Sequence, residues 1–377
     1  MDDCSFSTMT ALGLMSGTSR DGIDAAIIRT DGVSVFERGP SSTTPYDHDF
    51  RKRLADLIDG GAKACDVESD LTTRHVDAVE TLLRENSISC SEIDVIGFHG
   101  HTVFHVPEAR RTHQIGDGEL LAKVTGVPVV NDLRSADVAA GGQGAPLAPI
   151  YHWALTRELP KPLAILNLGG VANVTWIGED SPASRTSDTT GAVVPGIWAF
   201  DTGPGNALLD DWTEMWTGDP FDRNGALASR GRLSASALKK LISHPYFSLP
   251  PPKSLDRDAF SLEPVDGLSP EDGAATLAAF TAEAVRAALK GLPTTPLRWL
   301  VAGGGRYNKA MMGELAARIG GPVEAVEAVG WDGTALEAEA FAYLAVRAIK
   351  GLPSSWPTTT GVAHPCVAGV VHRPQTS

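Results

Sequence analysis

Three glycine-rich stretches each follow a run of apolar residues. They are Ser16-Gly17-Thr18-Ser19 after LGLM, Gly169-Gly170 after LAILNL, and Gly303-Gly304-Gly305 after LRWLVA. Glycine lets backbone N–H groups come close to an anion, and small hydroxyl side chains add donors without bulk. Such turns suit a phosphate. The first is not a Walker loop, because no GKS or GKT follows it. Plainer readings stand beside these. The first stretch also reads as an ordinary hairpin turn, Asn173 can hold a turn as well as bond a phosphate oxygen, and Asn308 can cap a helix after the third stretch.

Asp201 closes the apolar run IWAFD and is followed by Thr202-Gly203-Pro204-Gly205-Asn206. A carboxylate at the mouth of a glycine turn suits a general base, since the turn leaves space for a substrate. The alternative is an Asx-type turn. Asp21 and Asp24 could reach a Mg²⁺-bound water, because Mg²⁺ keeps most of its waters and needs few carboxylates. They could equally brace a hairpin. Arg134 offers a planar guanidinium that binds carboxylates through two parallel bonds, or it forms an interdomain salt bridge. His99 reads as a turn histidine or a ligand contact, and Glu337 as a solvated helix carboxylate or a site residue. Trp176, Trp198, Trp212 and Trp216 are expected in the core.

The elements that must position these residues follow from periodicity. LGLMSGTS and DGIDAAIIRT read as a strand, a turn and a returning strand, with VSVFERG as a third. Phe50, Leu54, Leu57 and Ile58 mark one helical stripe; Val67, Leu71, Val76, Val79, Leu82 and Leu83 mark another. IDVIGF is a short strand ending at His99-Gly100, TVFHVP a strand closed by Pro107, and PVVND a further strand. AAGGQGAPLAP (139–149) reads as a crossing between domains. LAILNLGG and VANVTWI restart the strand–glycine turn–strand theme, SPASRTSDTTG (181–191) is a polar turn, and LEAEAFAYLAVRAIKG is a helix that stops at Gly351. Two halves of the same pattern point to two α/β domains, 1–145 and 146–377.

Composition limits the function classes. The 377 residues are 42% hydrophobic and 21% charged, enough apolar material for two cores. The net charge of −14 and the lack of any Lys/Arg-rich run argue against nucleic acid as a partner. No apolar run reaches the length of a membrane span, so no membrane partner is expected. The N-terminus lacks the basic and apolar regions of a signal peptide, which makes the cytoplasm the expected compartment. Cys4, Cys65, Cys90 and Cys366 are scattered without metal-ligand spacing and are expected as free thiols.

The order and spacing of the motifs carry a resemblance. MSGTSRDGID (15–24), IGFHGHTVFHVP (96–107), the stretch from Gln114 to Pro149, LNLGGVANVT (166–175), FDTGPGNALLDDW (200–212), VAGGGRYN (301–308) and the stretch from Glu337 to Val362 resemble the anhydro-N-acetylmuramic acid kinase family. The resemblance implies two ribonuclease-H-like (actin-like ATPase) domains flanking an ATP cleft, with ATP and Mg²⁺ as cofactors and a small sugar as substrate. It implies Asp201 as catalytic base. It extends cofactor binding over Ser16, Gly17, Thr18, Ser19, Arg20, Asp21, Gly22, Ile23 and Asp24, together with Gly169, Gly170, Asn173, Gly303, Gly304, Gly305 and Asn308. His99, Arg134, Asp137, Gln143 and Glu337 are the residues expected on the sugar side, with Arg134 toward a lactyl carboxylate. Both a monomer and a homodimer remain open. The chain departs from the family's usual pattern at His101, Asn131 and KSLDRDAF (253–260).

Overall fold

The computed structural model describes residues 7–17, 19–179 and 196–374. The expected polar turn at 181–191 lies outside them. Strands β1 (Met9–Ser16), β2 (Gly22–Thr30) and β3 (Val35–Pro45) open the chain. Helix α1 (His48–Ile58) begins where the Asp47 carboxylate accepts the Phe50 N–H at 2.8 Å. Helix α2 (Cys65–Glu85) buries the stripe from Val67 to Leu83. Then come β4 (Val95–Val106), β5 (Arg111–Ile115), α3 (Gly118–Thr125), β6 (Val129–Asn131), α4 (Ser135–Ala139) and α5 (Pro149–Leu155). The expected break at His99-Gly100 is absent: β4 runs through it as one twelve-residue strand.

The same theme restarts with β7 (Leu163–Leu168), β8 (Val171–Ile177) and β9 (Ile197–Pro204). Helices α6 (Ala207–Thr217), α7 (Ala235–Ile242) and α8 (Pro270–Ala288) follow, then β10 (Trp299–Ala302), α9 (Lys309–Ile319) and β11 (Val323–Ala325). Helix α10 (Leu336–Ile349) and strand β12 (Val370–His372) end the order.

Two compact units result: Met1–Glu158 with Ala335–Ser377, and Leu159–Thr334. In the first, the sheet order is β12-β6-β4-β1-β2-β3, with β5 paired to β4; in the second it is β11-β10-β7-β8-β9. Each unit has three antiparallel strands, whose first pairs in parallel with a fourth, and the fourth with a fifth. This is the ribonuclease-H-like arrangement, built twice.

The division differs from the expected one at 145/146. The 139–149 segment is rich in glycine and proline, yet it is tied inside the first unit, where the Gln143 N–H donates to the Thr360 carbonyl at 2.6 Å. Helix α10 also belongs there. Its backbone lies so close to β1 and β4 that a Cβ on Gly13 would stand 1.8 Å from the Ala338 carbonyl oxygen, and one on Gly97 2.1 Å from that of Phe341. Alanines at 338, 342 and 345 let the helix approach, and all three are buried. Of the tryptophans expected in the core, Trp212 and Trp176 are buried, whereas Trp216 is half exposed and leans on Trp212.

Candidate functional site

In the second unit, Asp201 stands near the end of β9, buried with 7% of its surface exposed. Asn173 on β8 pairs with Asn167 on β7 and with Asp201 on β9, so three polar residues form one row across the sheet. Just beyond, Ala172 pairs with Gly203, leaving Thr202 as an extra residue. Such a bulge re-aims neighbouring side chains. The Asp201 carboxylate accepts the Leu255 N–H at 2.8 Å. Its own N–H donates to the Lys253 carbonyl at 3.0 Å, and its carbonyl accepts the Tyr246 hydroxyl at 2.5 Å. Burial pushes the Tyr246 hydroxyl pKa up, so it stays a donor. The Lys253 ammonium lies over the Tyr246 ring and donates to the Tyr246 carbonyl at 3.0 Å; burial lowers its pKa, and the Asp201 charge opposes that shift.

Gly169 and Gly170 make the turn between β7 and β8. Their carbonyls accept the N–H groups of Asn206 at 2.8 Å, Gly205 at 2.9 Å and Ala207 at 3.2 Å, which binds the turn to the start of α6. A Cβ on Gly169 would find its nearest neighbour at 3.5 Å, and one on Gly170 at 3.8 Å. The surrounding chain therefore leaves room for side chains here, and what glycine provides is an open backbone. Gly304 is similar, with its nearest neighbour at 3.7 Å. Gly303 and Gly305 differ: added Cβ atoms would fall 2.5 Å from the Asn167 side chain and 2.6 Å from Leu168. They are needed for internal packing. Asn308 is buried and accepts the Met311 N–H at 3.0 Å as the cap of α9, so its plainer reading holds.

In the first unit, Ser16 ends β1 inside a buried chain. The Tyr46 hydroxyl donates to Ser16 Oγ at 2.8 Å, and Ser16 Oγ lies 2.9 Å from His101 Nδ1. Gly17 is open, with its nearest Cβ neighbour at 3.6 Å. Thr18 lies outside the described residues. Ser19 donates to the Asp21 carboxylate at 2.6 Å, and Arg20 turns the chain with a φ of 56°. Asp24 accepts the Thr43 hydroxyl at 2.5 Å. Gly22 pairs with Pro45, and the Ile23 side chain is fully buried in the core.

Four of the expected sugar-side residues, His99, Arg134, Asp137 and Gln143, are linked through Arg134 and Gly144 in the first unit. His99 Nδ1 donates to the Gly100 carbonyl at 2.9 Å, and its Nε2 accepts from Arg134 Nε at 3.1 Å and Nη2 at 3.0 Å. Arg134 Nη1 donates to the Gly144 carbonyl at 2.7 Å. Asp137 is completely buried: it accepts the Gly144 N–H at 2.7 Å, the Thr360 hydroxyl at 2.7 Å and the Ser355 hydroxyl. It is an internal strut for the 139–149 segment, and its side chain has no surface left for a sugar. Gln143 is fixed through its backbone, its carbonyl accepting His105 Nε2 at 2.8 Å. Glu337 sits exposed in the first turn of α10.

Sequence reasoning missed several groups. Glu339, two residues beyond Glu337, is 2% exposed; it accepts Arg38 Nε on both oxygens, at 2.9 and 3.0 Å, and the Tyr151 hydroxyl at 2.7 Å. The i to i+2 step on a helix changes face, and only the sheet partner reveals which face is buried. Asn167, Tyr246, Lys253 and Arg257 were also missed. The last two lie in KSLDRDAF, which looked like a simple departure from pattern.

The first unit also holds several neutral histidines. Burial lowers the pKa values of His75, His101 and His152 to about 4, and burial followed by the Arg134 charge holds His99 well below its usual range. The unfolded chain protonates these rings near pH 6.5, as free imidazoles do. Between about pH 6.5 and 4 the unfolded state thus binds more protons, and stability falls as the pH is lowered. Urea midpoints at pH 7.5, 5.5 and 4.5 should decline in that order; a level series would contradict the buried neutral rings.

Among the described residues no helix is long and apolar enough to cross a membrane. No group of three or more metal-ligating side chains occurs among them. Cys65, Cys90 and Cys366 are free thiols.

A family model described as anhydro-N-acetylmuramic acid kinase matches residues 9–374. The protein of that name from Rhodospirillum rubrum is 55% identical over 365 residues, covering 95% of this chain and 93% of that protein. The one from Paramagnetospirillum magneticum is 52% identical and covers 97% of this chain and all of its own length. The one from Gluconobacter oxydans is 51% identical, over 95% of this chain and 98% of its own. With a match over nearly its whole length and identity at this level, the chain belongs to the anhydro-N-acetylmuramic acid kinase family and is a kinase.

Proposed function

We propose that the enzyme uses ATP, with Mg²⁺, to phosphorylate 1,6-anhydro-N-acetylmuramic acid while water opens its internal bridge. The products are N-acetylmuramic acid 6-phosphate and ADP. The observation that carries the reading is Asp201: a buried carboxylate at a strand bulge, one strand pairing away from a glycine turn whose backbone is left open.

An internally bridged sugar has no free hydroxyl on carbon 6, so a base finds no proton there to remove. Water must attack carbon 1 instead. Asp201 takes that water's proton, and the Leu255 N–H fixes the carboxylate while it does so. The bridge oxygen leaves carbon 1 and forms its new bond to the γ-phosphorus, with ADP leaving. Phosphoryl capture takes the part that a general acid plays in an inverting glycosidase. The open backbone at Gly169, Gly170 and Gly304 of the second unit supports close approach of phosphate oxygens. Mg²⁺ would spread the charge of the transferring group; Asp21 and Asp24, on the turn and strand after Ser16, are the carboxylates suited to its water shell. Arg134, fixed by His99 and Gly144, is a preset guanidinium for the lactyl carboxylate.

ADP release by the purified chain with Mg-ATP tests this. Turnover is expected with 1,6-anhydro-N-acetylmuramic acid. Turnover with levoglucosan alone would replace the substrate, and ADP release without any sugar would replace the reaction.

A further inference from the structure

The segment from Lys253 to Arg257 runs beside both parts of the proposed site. At one end it holds Asp201, through the Lys253 carbonyl and the Leu255 N–H. At the other end Arg257 reaches the glycine turn: its Nε lies 4.0 Å from where a Cβ on Gly170 would stand. Apart from Gly170's own chain neighbours, the Ala207 Cβ is the other atom within that distance.

Two acids orient this guanidinium from behind. Arg257 Nη2 donates to Asp211 on α6 at 2.7 Å, and Nη1 lies 3.5 Å from the Asp258 carboxylate. The Nε–H, on the edge nearest Gly170, has no hydrogen-bond partner among the described residues. The side chain is 33% exposed, so it can meet a ligand without being solvated on all sides. Because Asp211 stands on the helix whose first N–H groups bond the Gly169-Gly170 carbonyls, the cation and the turn share one support.

Guanidinium is the side chain best matched to phosphate, because its planar donors meet two oxygens at once. The glycine turns carry no lysine of their own. We propose that Arg257 contacts the terminal phosphoryl oxygens of a polyphosphate seated on the Gly169-Gly170 turn, and that Asp211 is its positioning residue. This inference rests on the reading of that turn as a phosphate site.

The test uses the full chain, with calorimetric binding of ATP and of adenosine and with steady-state turnover. In Arg257→Gln, ATP affinity is expected to fall by about 10-fold or more and kcat by about 10²- to 10³-fold, the usual effect of removing a charge-stabilising donor, while adenosine binding is unchanged. Arg257→Lys should recover part of kcat. Asp211→Asn should lower kcat less than Arg257→Gln and leave adenosine binding alone; it serves if the glutamine variant does not fold. Unchanged ATP affinity and kcat in Arg257→Gln would overturn the assignment. Gly170→Val separates the two readings. If it abolishes ATP binding while Arg257→Gln does not weaken it, the turn binds phosphate and Arg257 does not. If ATP binding survives Gly170→Val, the phosphate turn itself is wrong and the inference falls with it.

Discussion

Asp201→Asn is expected to lower kcat by about 10²- to 10⁴-fold, the range for loss of a general base. Affinity for ATP should stay the same. Asparagine keeps the shape and an oxygen that can accept the Leu255 N–H, so the 2.8 Å bond that holds the segment after Lys253 survives. The main-chain bonds from Asp201 to Lys253 and Tyr246 do not involve the side chain at all. A loss of turnover with an unchanged unfolding midpoint therefore isolates the proton transfer. Near-normal turnover would remove Asp201 from that role, and a collapsed midpoint would make it a structural strut like Asp137.

The largest expected effect on stability is at Glu339. Removing it as Glu339→Ala leaves the Arg38 guanidinium and the Tyr151 hydroxyl without their shared acceptor in the interior of the first unit. Breaking a buried ion pair from one side costs about 3–5 kcal/mol. The lower end is expected, because the Arg38 side chain keeps 19% of its surface exposed. A double replacement, Arg38→Met with Glu339→Leu, should recover part of that loss, since it removes the unpaired charge while the Tyr151 hydroxyl still lacks its acceptor. Urea midpoints of the three proteins give the answer. Equal midpoints for Glu339→Ala and the parent would mean that the pair contributes nothing net.

Much of the architecture was legible in residue patterns. Alternating and continuous apolar runs such as LAILNL followed by VANVTWI specify a strand, a turn and a return strand, and the structure builds them as β7 and β8. The proposed base, Asp201, drew attention for the same reason: a carboxylate at the end of an apolar strand, before glycines, stands out locally. What could not be read depends on distant pairing. Arg257 meets Gly170 only after the chain has folded, so no spacing signals it. Asp137 was expected on the sugar side because the two hydroxyls that bury it, Ser355 and Thr360, lie more than 200 residues away in sequence. The division between units was hidden as well, since a helix as apolar as α10 suits either core, and only Gly13 and Gly97 reveal which sheet receives it.

That last fit sets when in synthesis the first unit can be covered. The sheet of the first unit is complete in β1 to β6 except for β12, but the groove over Gly13 and Gly97 waits for α10, and α10 is made after all of Leu159–Thr334. The second unit is continuous and can close as soon as β11 has emerged, in keeping with the tendency of domains to fold as units during synthesis. Until α10 is made, the surface of β1 and β4 over Gly13 and Gly97 has no cover from that helix, although every strand of the second unit has by then been made.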